Sequence, residues 1–158
     1  MDWFLSLKLM HILSSTILFG TGLGTAFYMW RADRSNDLAT VARVSKNVVI
    51  ADWLFTTPAV IIQPLTGYGM LMSSGWSLDT SWVIVSLVLY GFIGLCWLPV
   101  VWIQIQVSRR SNRALVTTAT FDYPHRRLMK YWYFLGWPSF VSILVIFYLM
   151  VFKPTLWV

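Results

Sequence analysis

The sequence predicts an all-α integral membrane protein, an antiparallel four-helix bundle, and three observations carry that prediction. Hydrophobic residues make up 58% of the 158-residue chain and charged residues only 11%, whereas soluble domains carry about 25% charged residues to cover their surface. The apolar residues fall in four runs, each long enough to exceed the roughly 20 residues that cross about 30 Å of hydrocarbon as a helix. The basic residues gather between those runs instead of being spread along the chain. Helices are the expected form because each satisfies its own backbone hydrogen bonds in a solvent that offers none; the alternation of a barrel strand is absent. At this length a single membrane domain, residues 1–158, is expected.

The first run, residues 9–30, begins beside Lys8 and contains His11. It is too long for the apolar core of a cleaved signal peptide, lacks a small-x-small cleavage site and is followed by arginine. The connection 31–47 holds Arg31, Arg34, Arg43 and Lys46. The second run, residues 48–72, contains Asp52, expected in an ion pair at the depth of Arg31, and Gln63-Pro64. A proline there frees a backbone carbonyl, and Gln63 is the side chain at hand to re-satisfy a neighbour. The connection 73–81 carries only Asp79, and its shortness makes the second and third helices neighbours. The third run, residues 82–105, includes Pro99 and the single cysteine, Cys96, which reads as a small buried hydrophobe. The connection 106–130 carries Arg109, Arg110, Arg113, Arg126, Arg127 and Lys130. It reads as a solvated basic loop, with a short amphipathic helix over 109–118 as the alternative. The fourth run is residues 131–152.

Ten of the twelve basic residues therefore share one side, and Lys8 and Lys153 remain for the other. The positive-inside rule places both long connections in the cytoplasm of a bacterial inner membrane and both termini on the outer, periplasmic side. The net charge of +6 is a topology signal and not a nucleic-acid footprint, since no basic residues interleave with aromatics on a polar, foldable segment.

Ionisable groups within a membrane helix are costly and often functional. His11 enters the first helix near the outer interface, with Lys8 one turn before it and Ser14 one turn after on the same face. Gly22 shares that face, three turns further in. An imidazole, an ammonium group toward the headgroups and a smooth patch below suit a flat cofactor, with His11 as the axial metal ligand and Lys8 meeting a propionate. The bland alternative is that His11 bonds a neighbouring helix and Lys8 snorkels, while the Gly20/Gly24 spacing marks helix packing. Met10, Met70, Met72 and Met150 fall at the same depth as His11 and would add soft donors for Cu(I) or a haem. His125 lies across the membrane, which excludes a bis-histidine haem within one chain.

Lys8-Leu9-Met10-His11, Thr56-Thr57-Pro58 and Val151-Phe152-Lys153-Pro154 form an ordered set that resembles the small four-helix HemJ-type protoporphyrinogen oxidases. That resemblance implies haem b on the first-helix histidine, here His11 beside Lys8, and electrons passed to a quinone. Three positions depart from the pattern: Ser86 stands where those oxidases have lysine, Trp97 where they have histidine, and Gly136-Trp137 where an Asn-Glu pair precedes the proline. Over the whole chain, Asp52-Trp53-Leu54-Phe55-Thr56-Thr57-Pro58, Leu98-Pro99-Val100-Val101-Trp102 and Gly136-Trp137-Pro138 resemble a bacterial family of predicted integral membrane proteins, a domain of unknown function.

Three readings follow. The first is a haem b redox protein of HemJ-like architecture, porphyrinogen- or quinone-linked, with its site at the outer half among the first, second and fourth helices. The second is a non-catalytic subunit, in a homo-oligomer or with a membrane protein partner, packed through the Gly20/Gly24 face. The third is a copper-handling protein using His11 and the outer methionines.

Overall fold

The computed structural model describes residues 2–117 and 124–157. Helix α1 (Trp3–Arg34) starts at Asp2, whose carboxylate accepts from the Phe4 N–H. It ends in a three-residue turn in which Asn36 takes a left-handed φ of 53°, a conformation asparagine tolerates better than most residues. Asp37 then caps α2 (Leu38–Ala51) by accepting from the Ala39 and Thr40 N–H groups. A π-helical turn, Asp52–Thr56, joins α2 to α3 (Thr57–Ser74), so that Leu38–Ser74 forms one rod. Gly75, at φ 72°, stops that rod. Helices α4 (Ser81–Thr117) and α5 (Pro124–Phe152) complete four antiparallel spans.

The all-α four-helix prediction agrees with this architecture, but the helices outrun the apolar runs. A 37-residue rod is about 55 Å long at 1.5 Å per residue, beyond the roughly 40–45 Å of a bilayer with its headgroups. The connection expected over 31–47 shrinks to Ser35–Asp37, because α2 is amphipathic: Val41, Ala42, Ser45 and Val48 are buried while Arg43, Lys46 and Asn47 are exposed. The solvated loop expected after residue 105 is likewise helical as far as Thr117, with Ile103, Val107 and Ser111 on its buried face. The amphipathic alternative over 109–118 is closer to what is found, though the segment continues α4 and residue 118 lies outside the described residues. Hydropathy finds lipid-facing helix; it loses the helix where one face turns to water.

That overhang carries the main core. Met29 and Ala32 from α1, Val41 and Val48 from α2, Ile103 and Val107 from α4, and Met129 and Trp132 from α5 converge there. At the opposite end Trp82 and Val83 pack on Leu149, and the chain closes on itself where the Ser81 hydroxyl accepts from the Leu156 N–H at 3.0 Å. Lys153 lies over the Trp76 and Trp82 rings, 5.3 and 5.8 Å from their centroids. Between these ends Phe19 of α1 stacks on Phe140 and meets Phe147 edge-on, each at 5.5 Å. As the short Gly75–Thr80 connection implies, the second rod and α4 are neighbours: α2 packs against α4, and Tyr90 of α4 reaches the Val60 carbonyl. Both termini lie at the end opposite the basic residues. Cys96 is buried and free.

Ser45 is fully buried, at 0% exposure, between Val41 and Val48 on the face of α2 that meets α4. Ser45→Leu should overpack that face and lower stability by about 1–3 kcal/mol, while Ser45→Ala should be nearly silent, as read by unfolding midpoints in mixed micelles. Asp37 provides the second test. Bonds from the Thr40 hydroxyl, then from the Thr40 and Ala39 N–H groups, hold its carboxyl below the ordinary carboxylate range. A folded-state value below the unfolded one means that the cap acts fully above the ordinary range and is lost as pH falls through the depressed value. Protection of the first-turn amides of α2, read as exchange relative to the intrinsic rate at each pH, should therefore fall in acid, and Asp37→Asn should remove that fall.

Candidate functional site

Four prolines interrupt the spans, and each removes a backbone N–H that lipid cannot replace. Pro64 lies inside α3 and leaves the Val60 carbonyl without its helical donor. The Tyr90 hydroxyl of α4 donates to that oxygen. This corrects the role expected of Gln63, which turns the other way, toward α1.

Gln63 Nε2 donates to the His11 carbonyl and to Ser14 Oγ, each at 2.7 Å. One turn along, Thr66 Oγ1 lies 2.8 Å from His11 Nδ1. Gln63 and Thr66, three apart on α3, thus meet His11 and Ser14, three apart on α1. Two glycines allow the approach: a Cβ on Gly67 would stand 3.4 Å from His11 Cε1, and one on Gly69 only 2.9 Å from Leu7 Cδ1. The close helix contact expected at Gly20/Gly24 belongs to these α3 glycines instead, because nothing lies within 4 Å of a Cβ placed at Gly20, Gly22 or Gly24.

Thr66 Oγ1 also lies 2.7 Å from the Ile62 carbonyl, the bond a threonine makes back onto its own helix. When that bond holds the hydroxyl proton, Thr66 accepts from His11 Nδ1–H and Nε2 carries the lone pair. Among the described residues no hydrogen bond reaches Nε2, and it is not among the buried atoms left without a partner. His11 is half-buried, Ser14 is buried and Lys8 is exposed. Of the four residues singled out by sequence, the structure joins His11 and Ser14; Lys8 and Gly22 lie on the same helix outside the hydrogen-bonded cluster. Thr66 and Gly67 escaped the sequence reading, although Gln63-Pro64-Leu65-Thr66-Gly67 places a polar pair and a glycine at i, i+3 and i+4 on one helical face. The fourth helix takes no part in the His11 contacts. Met10, Met72 and Met150 are exposed and Met70 is half-buried.

A second polar group lies deeper. Asp52, 5% exposed, opens the π-turn, and its Oδ1 accepts from Thr56 Oγ1 at 3.0 Å. The turn forms where Thr57 gives both its N–H and its hydroxyl to the Asp52 carbonyl and Pro58 offers no N–H of its own. Gln104 of α4, 3% exposed, brings its side chain to the Asp52 carboxyl, while Asp52 Oδ2 and Gln104 Oε1 have no partner of their own. The ion pair expected with the Arg31 region is not what holds Asp52; Arg31 is exposed. Ser86 is buried and gives its hydroxyl to the Trp82 carbonyl at 2.7 Å.

The described residues contain no group of three His, Cys, Asp or Glu able to hold a metal ion. What the site offers is one oriented imidazole nitrogen. A group that supplies its own remaining metal ligands, as a haem macrocycle does, would need no more than that one nitrogen, and a Cβ at Gly22, three turns along α1, would meet nothing within 4 Å.

A family model described as a predicted integral membrane protein, DUF2269, matches residues 5–154. The chain belongs to this family. The DUF2269 match takes in all four spans and both polar clusters, so His11, Gln63, Thr66 and Asp52 all lie within the family's extent. No curated protein and no solved structure matches the chain.

The Gln63–Ser14 bond is testable by a double-mutant cycle. Gln63→Leu leaves buried Ser14 and the His11 carbonyl without this donor, and should cost about 1–2 kcal/mol. Ser14→Ala and Gln63→Leu should couple by roughly 1 kcal/mol, within the range of interhelical bonds in membranes. Additive effects would show that the bond holds nothing.

Proposed function

We propose that this protein is a haem b-binding redox protein of the bacterial cytoplasmic membrane, with His11 Nε2 as the axial ligand. The observation that carries the reading is the 2.8 Å contact of His11 Nδ1 with Thr66 Oγ1, which leaves Nε2 as the ring nitrogen open to a ligand. Metal-ligating histidines characteristically donate their second N–H to an oxygen, which fixes the tautomer and raises ligand basicity. Haem bound there supplies one-electron chemistry, and a quinone dissolved in the same bilayer is the matching electron partner. The chain's own residues do the rest. Thr66 aims the imidazole, Gln63 ties its backbone to α3, and the exposed Lys8 stands one turn toward the headgroups to meet a propionate. The basic end faces the cytoplasm and both termini face outward. The HemJ-like Lys8–His11 spacing supports haem binding. The uncharged Ser86 separates this site from the oxidase pattern, so ligation and electron transfer form the core of the reading, ahead of porphyrinogen oxidation.

A second reading has its own observation. α1 is the least buried of the four spans, and a Cβ built on Gly20 or Gly24 would meet nothing within 4 Å among the described residues. A small subunit that packs by α1 against a second copy or another membrane protein would use that face.

Visible spectra of the detergent-purified protein, oxidised and dithionite-reduced, separate the two. The expected result is a Soret band with reduced b-type features, lost in His11→Ala. In Thr66→Val the band should persist with haem affinity about 10–100-fold weaker, the usual cost of removing a ligand's supporting bond. A colourless protein at full yield, expressed with haem supplied, would overturn the haem reading and leave the subunit.

A further inference from the structure

At the basic end, the last turn of α1 and the first turns of α5 enclose an open-sided cleft of about 340 Å³. Arg34, Asn36, Arg126, Lys130, Asp33 and Tyr133 line it, and buried Met129 contributes an apolar wall. We propose that this cleft binds the phosphate of an anionic phospholipid headgroup.

Among the described residues, Arg34, Arg126 and Lys130 set three cations against one carboxylate, Asp33, in a concave site, and the groups converge for identifiable reasons. Arg126, Lys130 and Tyr133 lie at i, i+4 and i+7 on α5, one stripe of that helix. Arg34 is held in place by Trp30, its Cζ 5.3 Å from the ring centroid, so less side-chain freedom is lost on meeting an anion. The Tyr133 hydroxyl donates to Asp33 Oδ2 at 3.0 Å, which engages the one carboxylate in the cleft and ties α1 to α5. The left-handed Asn36 turns the chain away into α2 and keeps the mouth open.

Depth selects the ligand's source. The cleft lies where the apolar spans give way to charged residues, with the exposed rings of Trp30 and Tyr131 at neighbouring positions of α1 and α5, the aromatic level of a headgroup region. Basic pockets between membrane helices at this level suit phosphorylated headgroups whose tails remain in the bilayer. The remaining basic residues at this end, among them Arg109 and Arg110 on α4, lie outside the cleft, which separates a site from a diffuse positive surface.

The test is retention of lipid by the full chain, purified from nanodiscs of phosphatidylcholine with phosphatidylglycerol and observed by native mass spectrometry. The wild type should keep one phosphatidylglycerol in preference to phosphatidylcholine. Arg34→Gln/Lys130→Gln should weaken that preference roughly thirtyfold, at the usual contribution of each basic residue near an anionic surface. Arg109→Gln/Arg110→Gln, with the same net charge, should leave it unchanged. Lys130→Gln alone, with its thermal midpoint measured alongside, separates lost binding from lost folding. Equal loss in both double variants, or equal retention of the two lipids by the wild type, would overturn the proposal. Displacement of the lipid by millimolar inorganic phosphate would overturn the headgroup assignment in favour of a free phosphate.

Discussion

Everything in this bundle depends on one constraint: in hydrocarbon, a backbone carbonyl deprived of its helical donor must find another within the protein. The chain places prolines at 58, 64, 99 and 138 and so creates this problem four times. The one at 64 shows how it is handled. At Pro64 a tyrosine from α4 serves the freed Val60 carbonyl, tying α3 to a helix it otherwise barely touches. Before Pro58 the helix widens into a π-turn, and Thr57 gives two donors to the Asp52 carbonyl. Such π-turns are rare and recur at functional sites. Here the turn begins at a buried carboxyl.

Two kinds of packing divide the molecule along its length. At the basic end the helices leave the apolar zone, have one wet face and one dry face, and bury Met29, Val41, Val107 and Met129 to 1–2% exposure. That is the hydrophobic effect acting as it does in soluble bundles. Within the lipid zone no such force acts between helices, because lipid tails are as apolar as leucine. There α1 and α3 are joined by hydrogen bonds and by close contacts over glycine, at His11–Gly67 and Leu7–Gly69. α1 and α5 meet through three phenylalanine rings. The large lipid-facing surface of α1 follows from the same physics and not from poor packing.

The sequence made the number of spans, their antiparallel order and the shared side of the basic residues legible, because lipid imposes a strong filter on composition. It concealed the helical overhangs, since Arg43 and Lys46 lower the hydropathy of α2 while Val41 and Val48 still bury its other face. At the site, His11 and Ser14 were visible from their spacing along one helix. Thr66 and Gly67 were not, because nothing in a single sequence tells which face of α3 will meet α1. Gln63 was noticed for the wrong reason: proximity to Pro64 suggested a local repair, whereas the repair comes from Tyr90, 30 residues away. Asp52 was misjudged similarly. A nearby arginine in sequence depth suggested an ion pair, but the carboxyl points into the bundle toward Gln104, and Arg31 points out.

The use of histidine at position 11 is itself informative. If the only requirement were to join α1 to α3, the Gln63 amide already does so through a backbone carbonyl and a serine hydroxyl, and Thr66 could be met by any short donor. A serine or an asparagine could meet Thr66 as well. Histidine brings a second ring nitrogen, Nε2, which no hydrogen bond reaches among the described residues and which is not among the buried atoms left without a partner. That open nitrogen is what distinguishes histidine from a short donor at this position, and it is the feature on which the proposed ligand role rests.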